Sequence, residues 1–203
     1  MTEQKLTATG TLTVYCGPMY AGKTSLLIAE LEESLDCGET VLVIKPTIDN
    51  RYKEDDVVSH DGISLKKNTS HPVLCLPVDG TVTEEQLQGV TLVLIDEAQF
   101  FEDLSLVQVP DLLVAGVNVI AFGLDMDSEG RPFGSMPRLL TMADRVVKMK
   151  SECVVCGEDA QRTFRKLSAK STSQVLIGGA ETYEARCHKH WLEGLSERKR
   201  WMA

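Results

Sequence analysis

The stretch 17–24 constrains the fold of this chain more tightly than any other feature. It reads GPMYAGKT, which fits the pattern G-x-x-x-x-G-K-[ST]. The β-rich run TLTVYC precedes it, and GKTSLLIAELEESL, with leucines at every fourth residue from Leu27 to Leu35, follows. A strand, a glycine loop and a helix are the context that this phosphate-binding motif requires. Loop N–H groups would cradle phosphate, Lys23 would reach its outer oxygens, and the Thr24 hydroxyl would ligate Mg²⁺.

Further apolar runs predict the other strands of the same sheet. They are TVLVIK at 40–45, VTLVLID at 90–96, VNVIAF at 117–122 and DRVVKM at 144–149. Near-continuous apolar runs are typical of parallel strands covered on both faces. We therefore expect an α/β fold in which helices flank a parallel sheet. The polar segments 47–71 and 125–137 are expected to leave the sheet at its rim.

The domain organisation is predicted from the length of the chain and from a change in sequence pattern after Lys150. The 203 residues suffice for one sizeable core and a small appendage. After Lys150 the sequence has cysteines near both ends and no helical period. We expect an ATP-binding α/β domain at 1–150, a small metal-bound lid domain at 151–192 and a flexible tail at 193–203.

An acidic pair closes the most apolar of these runs. LVLIDEAQFF delivers Asp96 to the carboxyl end of a strand, where open α/β sheets bind their ligands, and Asp96 is the natural partner for Mg²⁺. Glu97 follows directly. An acid at this position can orient a water for hydrolysis or accept a proton from a substrate hydroxyl, and the two residues alone leave both open.

The paired cysteines predict a metal site. Cys153 and Cys156 are spaced by two residues, and Cys187 stands close to His188 and His190 about thirty residues later. Such turns form tetrahedral Cys/His zinc sites. His190 is favoured over His188 because adjacent side chains diverge. Four ligands describe a structural site that orders a segment without its own core. The sequence VLIGGAETY lies between the first two ligands and the last two, and it could form either a simple hairpin or a lid over a ligand.

Charge and composition exclude several classes of protein. The net charge is -9, a poor balance for holding nucleic acid or an anionic membrane. The first ten residues lack a signal-peptide pattern, and no apolar run approaches membrane-spanning length. We expect a cytoplasmic protein that binds neither nucleic acid nor membrane, and whose paired cysteines serve as metal ligands rather than disulfides.

Taken together, these motifs resemble the type II thymidine kinases, the cytosolic zinc-containing family with a RecA-like core. The resemblance runs from about Leu12 to Trp191 and rests on GPMYAGKT, DNRY, LIDEAQFF, GLDMDSEGRPFG, the metal-ligand spacing and IGGAETY. It implies transfer of the ATP γ-phosphoryl group to the 5′-hydroxyl of thymidine with Mg²⁺, a homotetramer, and inhibition by dTTP. It also favours phosphoryl transfer over hydrolysis, with Glu97 as the base.

The resemblance assigns the remaining site residues. Those implied to bind ATP are Gly17, Pro18, Met19, Tyr20, Ala21, Gly22, Lys23, Thr24, Asp96, Glu97, Ala98 and Gln99. Those implied to contact the nucleoside are Met19, Asp49, Arg51, Phe101, Leu124, Phe133, Thr163, Gln174, Val175, Leu176, Ile177, Gly178 and Tyr183. From the residues alone, Phe100, Phe101 and Phe133 are equally compatible with aromatic walls for a base and with core packing.

One position departs from the family pattern. Ser128 stands where an aromatic residue usually precedes xxxPFG, which predicts a thinner wall on one side of the base pocket. Two competing functions remain compatible with the motifs. One is a RecA-like ATPase switch in which Glu97 activates water, and the other is a zinc-ribbon binding module in which the nucleotide loop is dispensable.

Overall fold

A computed structural model describes residues 9–47, 73–76, 80–101, 108–168 and 173–202. The strands are β1 (Leu12–Cys16), β2 (Val41–Pro46), β3 (Val73–Leu76), β4 (Leu92–Ile95), β5 (Asn118–Gly123), β6 (Arg145–Lys148), β7 (Ser151–Glu152), β8 (Asp159–Ala160), β9 (Arg162–Arg165) and β10 (Tyr183–Arg186). The α-helices are α1 (Lys23–Asp36), α2 (Val109–Val114), α3 (Met136–Met142) and α4 (His188–Met202), and a 3₁₀ helix spans Ala98–Phe100.

Within the described residues the main sheet has six parallel strands in the order β3-β2-β4-β5-β1-β6. The predicted α/β class is confirmed, and each of the five predicted apolar runs overlaps one of these strands. β5 lies between β1 and β4, so one strand separates the strand before the phosphate loop from the strand that ends at the acidic pair. β3 was not predicted by the sequence pattern.

Hydrophobic cores cover both faces of the sheet, as the apolar strands require. Successive residues of a strand point to opposite faces, and in β1 Val14 contributes to one core and Tyr15 to the other. α1 packs on the Tyr15 side through Leu27, Ile28 and Leu31. α2 and α3 pack on the Val14 side, where their buried residues join the larger core.

Parallel strands bring their carboxyl ends to a common edge, and this edge positions the site. β1 leads into the phosphate loop, β4 ends before Asp96, and β5 leads into residues 125–134, which we call the rim loop. The phosphate loop, the acidic pair and the rim loop therefore lie next to one another at this edge of the sheet.

The C-terminal part is built from short strands and one helix. β7 pairs with β8, β9 pairs with β10, and both pairs are antiparallel. Residues 193–202, which we expected to form a flexible tail, belong to α4, a difference from the sequence pattern in secondary structure only. Arg198 explains part of this difference, because it is 8% exposed and donates to Glu129 Oε1 on the rim loop at 2.8 Å. No helix in the described parts of the chain is long and apolar enough to cross a membrane.

Candidate active site and metal cluster

The phosphate loop has the geometry that its motif predicts. Gly22, with φ of +78°, turns the chain into α1, which begins at Lys23. The Lys23 ammonium curls back over the loop and donates to the carbonyl oxygens of Pro18 at 2.7 Å and Gly17 at 3.2 Å. Burial lowers the pKa of Lys23, and the nearby carboxylates of Glu97 and Asp96 oppose that shift. The charge of Lys23 in the phosphate loop therefore interacts with both carboxylates of the acidic pair.

The acidic pair is held in a defined conformation. Asp96 is 6% exposed, and its Oδ1 accepts the backbone N–H of Glu97 at 3.0 Å. Glu97 has φ of +48°, in the left-handed region that non-glycine residues rarely occupy. Such a conformation costs about 1–3 kcal/mol and is typical of functional sites. The pair connects two elements: Asp96 directly follows β4, and Glu97 directly precedes the 3₁₀ helix.

Glu97 also lines a cavity beside the phosphate loop. Counting the open space at its mouth, the cavity measures about 590 Å³. Its walls are mostly apolar and come from the phosphate loop, the 3₁₀ helix, the rim loop and the segment 174–178. The lining residues are Met19, Glu97, Gln99, Phe100, Leu124, Met126, Asp127, Ser128, Phe133, Thr163, Gln174, Val175, Leu176, Ile177, Gly178 and Tyr183.

The structure corrects one of the predicted nucleoside contacts. Phe101 is fully buried in the larger core and does not line the cavity. Phe100 takes that place and packs edge to face against Phe133, with ring centroids 5.6 Å apart. The two phenylalanines follow one another at the end of the 3₁₀ helix, and adjacent side chains point in different directions. The other predicted contacts line the cavity, except Asp49 and Arg51, which lie outside the described residues.

Asp127 ties the rim loop to the segment 173–182, which we call the lid segment. Its carboxylate is buried and accepts the backbone N–H groups of Glu129 and Arg131, each at 2.9 Å, as well as the Arg131 side chain. The same carboxylate accepts Gln174 Nε2 at 2.9 Å. A carboxylate with this many donors holds both segments in place.

The lid segment is further fixed by residues of the β9–β10 hairpin. The Tyr183 hydroxyl donates to the carbonyl oxygen of Leu176 at 2.7 Å. Arg165 donates to the carbonyl oxygen of Gln174 at 3.0 Å and lies over the Tyr183 ring. Residues 174–178 are consequently held against the cavity that they line, which favours the lid over the simple hairpin.

Four side chains at the base of the hairpin converge as metal ligands would. Sγ of Cys153, Cys156 and Cys187 and a ring nitrogen of His190 lie within 4.8 Å of one another. Cys156 Sγ is 3.9 Å from Cys187 Sγ, and His190 Nδ1 is 3.2 Å from Cys187 Sγ and 3.6 Å from Cys153 Sγ. Tetrahedral Zn²⁺ with Zn–S bonds of about 2.3 Å requires sulfurs about 3.8 Å apart, so the spacing fits this ion.

His190 is the histidine of this cluster, as predicted. His188 is exposed and stacks on the indole of Trp191, with ring centroids 6.0 Å apart. Burial acts to raise the pKa of Cys153, but hydrogen bonds from the backbone of Cys187 and neighbouring residues outweigh it and lower the pKa to about 6. A thiol that ionises readily is suited to binding a metal.

Trp191 connects the metal cluster to the cavity wall. It follows His190 directly in α4, is 7% exposed, and donates from Nε1 to the carbonyl oxygen of Ser128 at 3.1 Å. Its ring lies against Gly130, where an added Cβ would approach to 2.8 Å. Sequence reasoning missed this contact, since Trp191 and the rim loop are about sixty residues apart in the chain.

Comparison with known proteins agrees with the site. The sequence model of the thymidine kinase family matches residues 10–191. A thymidine kinase of Bacteroides thetaiotaomicron is 39% identical over 189 residues, which cover 93% of this chain and 90% of the relative. The match spans the phosphate loop, the acidic pair, the cavity and the metal cluster. The chain belongs to the thymidine kinase family.

Proposed function

We propose that this enzyme transfers the γ-phosphoryl group of ATP to the 5′-hydroxyl of thymidine, with Glu97 as the general base. The observation that carries the proposal is the position of Glu97, which lines the apolar cavity and acts electrostatically on Lys23 of the phosphate loop. A base between two substrates can reach the hydroxyl of one while the other presents its terminal phosphate.

The phosphoryl transfer step follows from these placements. Glu97 accepts the proton of the 5′-hydroxyl as its oxygen forms a bond to the γ-phosphorus. The bond from that phosphorus to the β,γ-bridging oxygen breaks, and ADP leaves with that oxygen. Lys23 and the loop N–H groups hold the negative charge of the phosphates.

The oxygen donors at the loop suit Mg²⁺. Thr24 is the second residue of α1 and Asp96 directly follows β4, and both elements meet at the shared edge of the sheet. Hard oxygen ligands together with substrate phosphates are the usual environment of this ion. When bound, Mg²⁺ neutralises charge on the phosphates, while Thr24 and Asp96 fix its place.

The cavity suits a flat base joined to a sugar. Phe100 and Phe133 supply aromatic surface, and the backbone of 174–178 supplies donors and acceptors for the edge of the base. The buried Asp127 holds the lid segment over this space through Gln174. Side chains of the lid segment then matter less for recognition than its backbone shape.

We assign Zn²⁺ to the cysteine–histidine cluster, in a structural role. Three sulfurs and one imidazole fill a tetrahedral set and leave no position for substrate. The cluster joins the β7–β8 turn to the start of α4, and these elements have only a small core of their own, formed by Cys153, Ala160 and Ala185. Metal binding replaces the stability that a larger core would provide.

Assembly and regulation are proposed on family resemblance alone. We extend the proposal to a cytoplasmic homotetramer inhibited by dTTP, the end product of the pathway that thymidine phosphorylation feeds. Sedimentation velocity and inhibition assays with dTTP test these two properties separately from catalysis.

The experiment that tests the function is ADP release from ATP with and without thymidine. A kinase forms ADP and thymidine monophosphate in equal amounts, and little ADP without the nucleoside. An ATPase switch, in which Glu97 activates water, releases ADP regardless of thymidine. A screen of labelled ATP against the natural nucleosides then defines the acceptor, and transfer to another nucleoside in preference to thymidine contradicts the proposal.

A further inference from the structure

Gln99 is buried between the acidic pair and the cavity wall. It lies in the middle of the 3₁₀ helix and is 2% exposed. Its Nε2 donates to Glu97 Oε2 at 2.5 Å, and its Oε1 accepts the backbone N–H of Leu124 at 3.0 Å. The side chain thus spans from the proposed base to the first residue after β5.

The chemistry of its partners fixes which end of the amide faces Glu97. A backbone N–H can only donate, so the group facing Leu124 must be the carbonyl oxygen. The amino group then necessarily faces the carboxylate, where it acts as a donor to a charged acceptor, and such bonds are stronger than neutral ones. No rotation of the amide by 180° satisfies both partners.

Two glycines leave the space that Gln99 occupies. A Cβ on Gly123 would lie 2.8 Å from Gln99 Oε1 and 2.6 Å from Met136 Sδ. A Cβ on Gly134 would lie 1.7 Å from the Gln99 carbonyl oxygen. Ser135 adds a hydrogen bond from its hydroxyl to the Ala98 carbonyl oxygen at 2.7 Å. The surroundings of Gln99 therefore permit little displacement of its backbone or side chain.

We propose that Gln99 is a positioning residue that aims the Glu97 carboxylate at the nucleoside hydroxyl. The inference rests on the proposed role of Glu97 as the base. Because the same amide holds Leu124, which lines the cavity, it sets the distance between the base and the nucleoside wall. A base misplaced by about 1 Å can cost a hundredfold in rate.

Two substitutions of Gln99 by side chains of similar shape distinguish the contributions of its two hydrogen bonds. Gln99→Glu keeps an oxygen for the Leu124 N–H but loses the donor to Glu97, and it sets two carboxylates against each other. Gln99→Met loses both bonds without adding charge. We expect kcat to fall by about tenfold to a hundredfold in both. The KM for ATP should stay within twofold in both, and the KM for thymidine should rise only in Gln99→Met.

A double-mutant cycle with Glu97→Gln shows whether Gln99 acts through the base. In the Glu97→Gln background, Gln99→Met should lower single-turnover transfer by less than twofold, because the group that it positions is already absent. Gln161→Met, an exposed glutamine on the way to β9, is the control and should match the parent. Melting temperatures and fractional activity per folded molecule separate loss of rate from loss of fold.

Different results would overturn the positioning role of Gln99 and the role of Glu97 as the base. A full additional loss from Gln99→Met in the Glu97→Gln background overturns the positioning role, and so does a raised KM for ATP with unchanged kcat. If Glu97→Gln alone transfers at the normal rate, the proposed base is wrong and the positioning role falls with it. That result is read from a variant in which Gln99 is intact, so the two failures are distinguishable.

Discussion

The Met19 backbone N–H donates to the Thr163 hydroxyl oxygen at 3.0 Å, which joins the phosphate loop to the β9–β10 hairpin. Both residues line the cavity, and Thr163 is 6% exposed. Through this bond the loop proposed to hold ATP is connected to the hairpin that supports the lid segment. The Tyr20 hydroxyl makes a second, longer bond of this kind, to the Tyr183 carbonyl oxygen at 3.4 Å. The two proposed substrate sites are therefore connected by hydrogen bonds as well as by Glu97.

Thr163→Val removes that hydroxyl with little change of shape. It leaves the N–H of the half-buried Met19 without this acceptor, at a cost of about 1 kcal/mol. We expect kcat/KM for thymidine to fall by about tenfold, with a smaller rise in the KM for ATP. Thr163→Ser, which retains the hydroxyl, is the matched control. Equal kinetics for Thr163→Val and the parent would show that the bond does not support the site.

Substitution of the two histidines, His188 and His190, should have very different effects on zinc binding. His190→Ala removes one of four ligands and should lose most bound Zn²⁺, measured by metal analysis of the purified protein. His188→Ala removes only a ring that stacks on Trp191 and should retain a full equivalent. The melting temperature of His190→Ala should fall by about 10 °C, as a loss of about 3 kcal/mol predicts for this chain length. Full zinc retention by His190→Ala would disprove the assignment.

Trp191→Phe tests whether the metal cluster supports the cavity wall. The change keeps an aromatic ring beside Gly130 but removes the donor to the Ser128 carbonyl oxygen. We expect about a fivefold rise in the KM for thymidine, from about 1 kcal/mol, with an unchanged KM for ATP and full zinc content. Leu192→Ala, at an exposed position in α4, is the control. A thymidine KM equal to that of the control would contradict this role.

Ser128→Phe tests the departure from the family pattern. Ser128 lines the cavity, and among the described residues its buried hydroxyl has no hydrogen-bond partner. An added ring should lower the KM for thymidine by about threefold to tenfold, since stacking contributes about 0.5–1.5 kcal/mol beyond burial. Ser128→Ala removes only the unpaired hydroxyl and should leave the KM unchanged. An unaltered KM in Ser128→Phe would mean that this wall does not contact the base.

The sequence predicted the sheet and the chemistry of the site because both have strong local signals. Long apolar runs marked β1, β2, β4, β5 and β6, and the spacing of the glycine loop and the cysteines predicted a nucleotide site and a metal site. The sequence pattern did not predict β3, because its four residues lie between prolines and polar segments and show no distinctive periodicity. α4 begins within the metal ligands, which obscured its helical period.

Other parts of the site depend on contacts across the fold, which a sequence does not show. Phe100 and Phe101 are adjacent and chemically identical, and only the direction of the 3₁₀ helix places one in the cavity and the other in the core. Gln99 and Asp127 lie within recognised motifs, but the motifs do not show what these side chains contact. Their roles come from partners such as Leu124 and Gln174, which are distant in sequence.

The rate of Glu97→Gln tests the central claim most directly. The substitution keeps the shape of the side chain but removes its ability to accept a proton. Phosphoryl transfer to thymidine should be measured at saturating substrates, together with ATP binding at equilibrium. We predict that ATP binding stays within twofold while kcat falls by about a hundredfold to ten-thousandfold, the contribution of a general base. Transfer at the normal rate would contradict Glu97 as the base of this kinase.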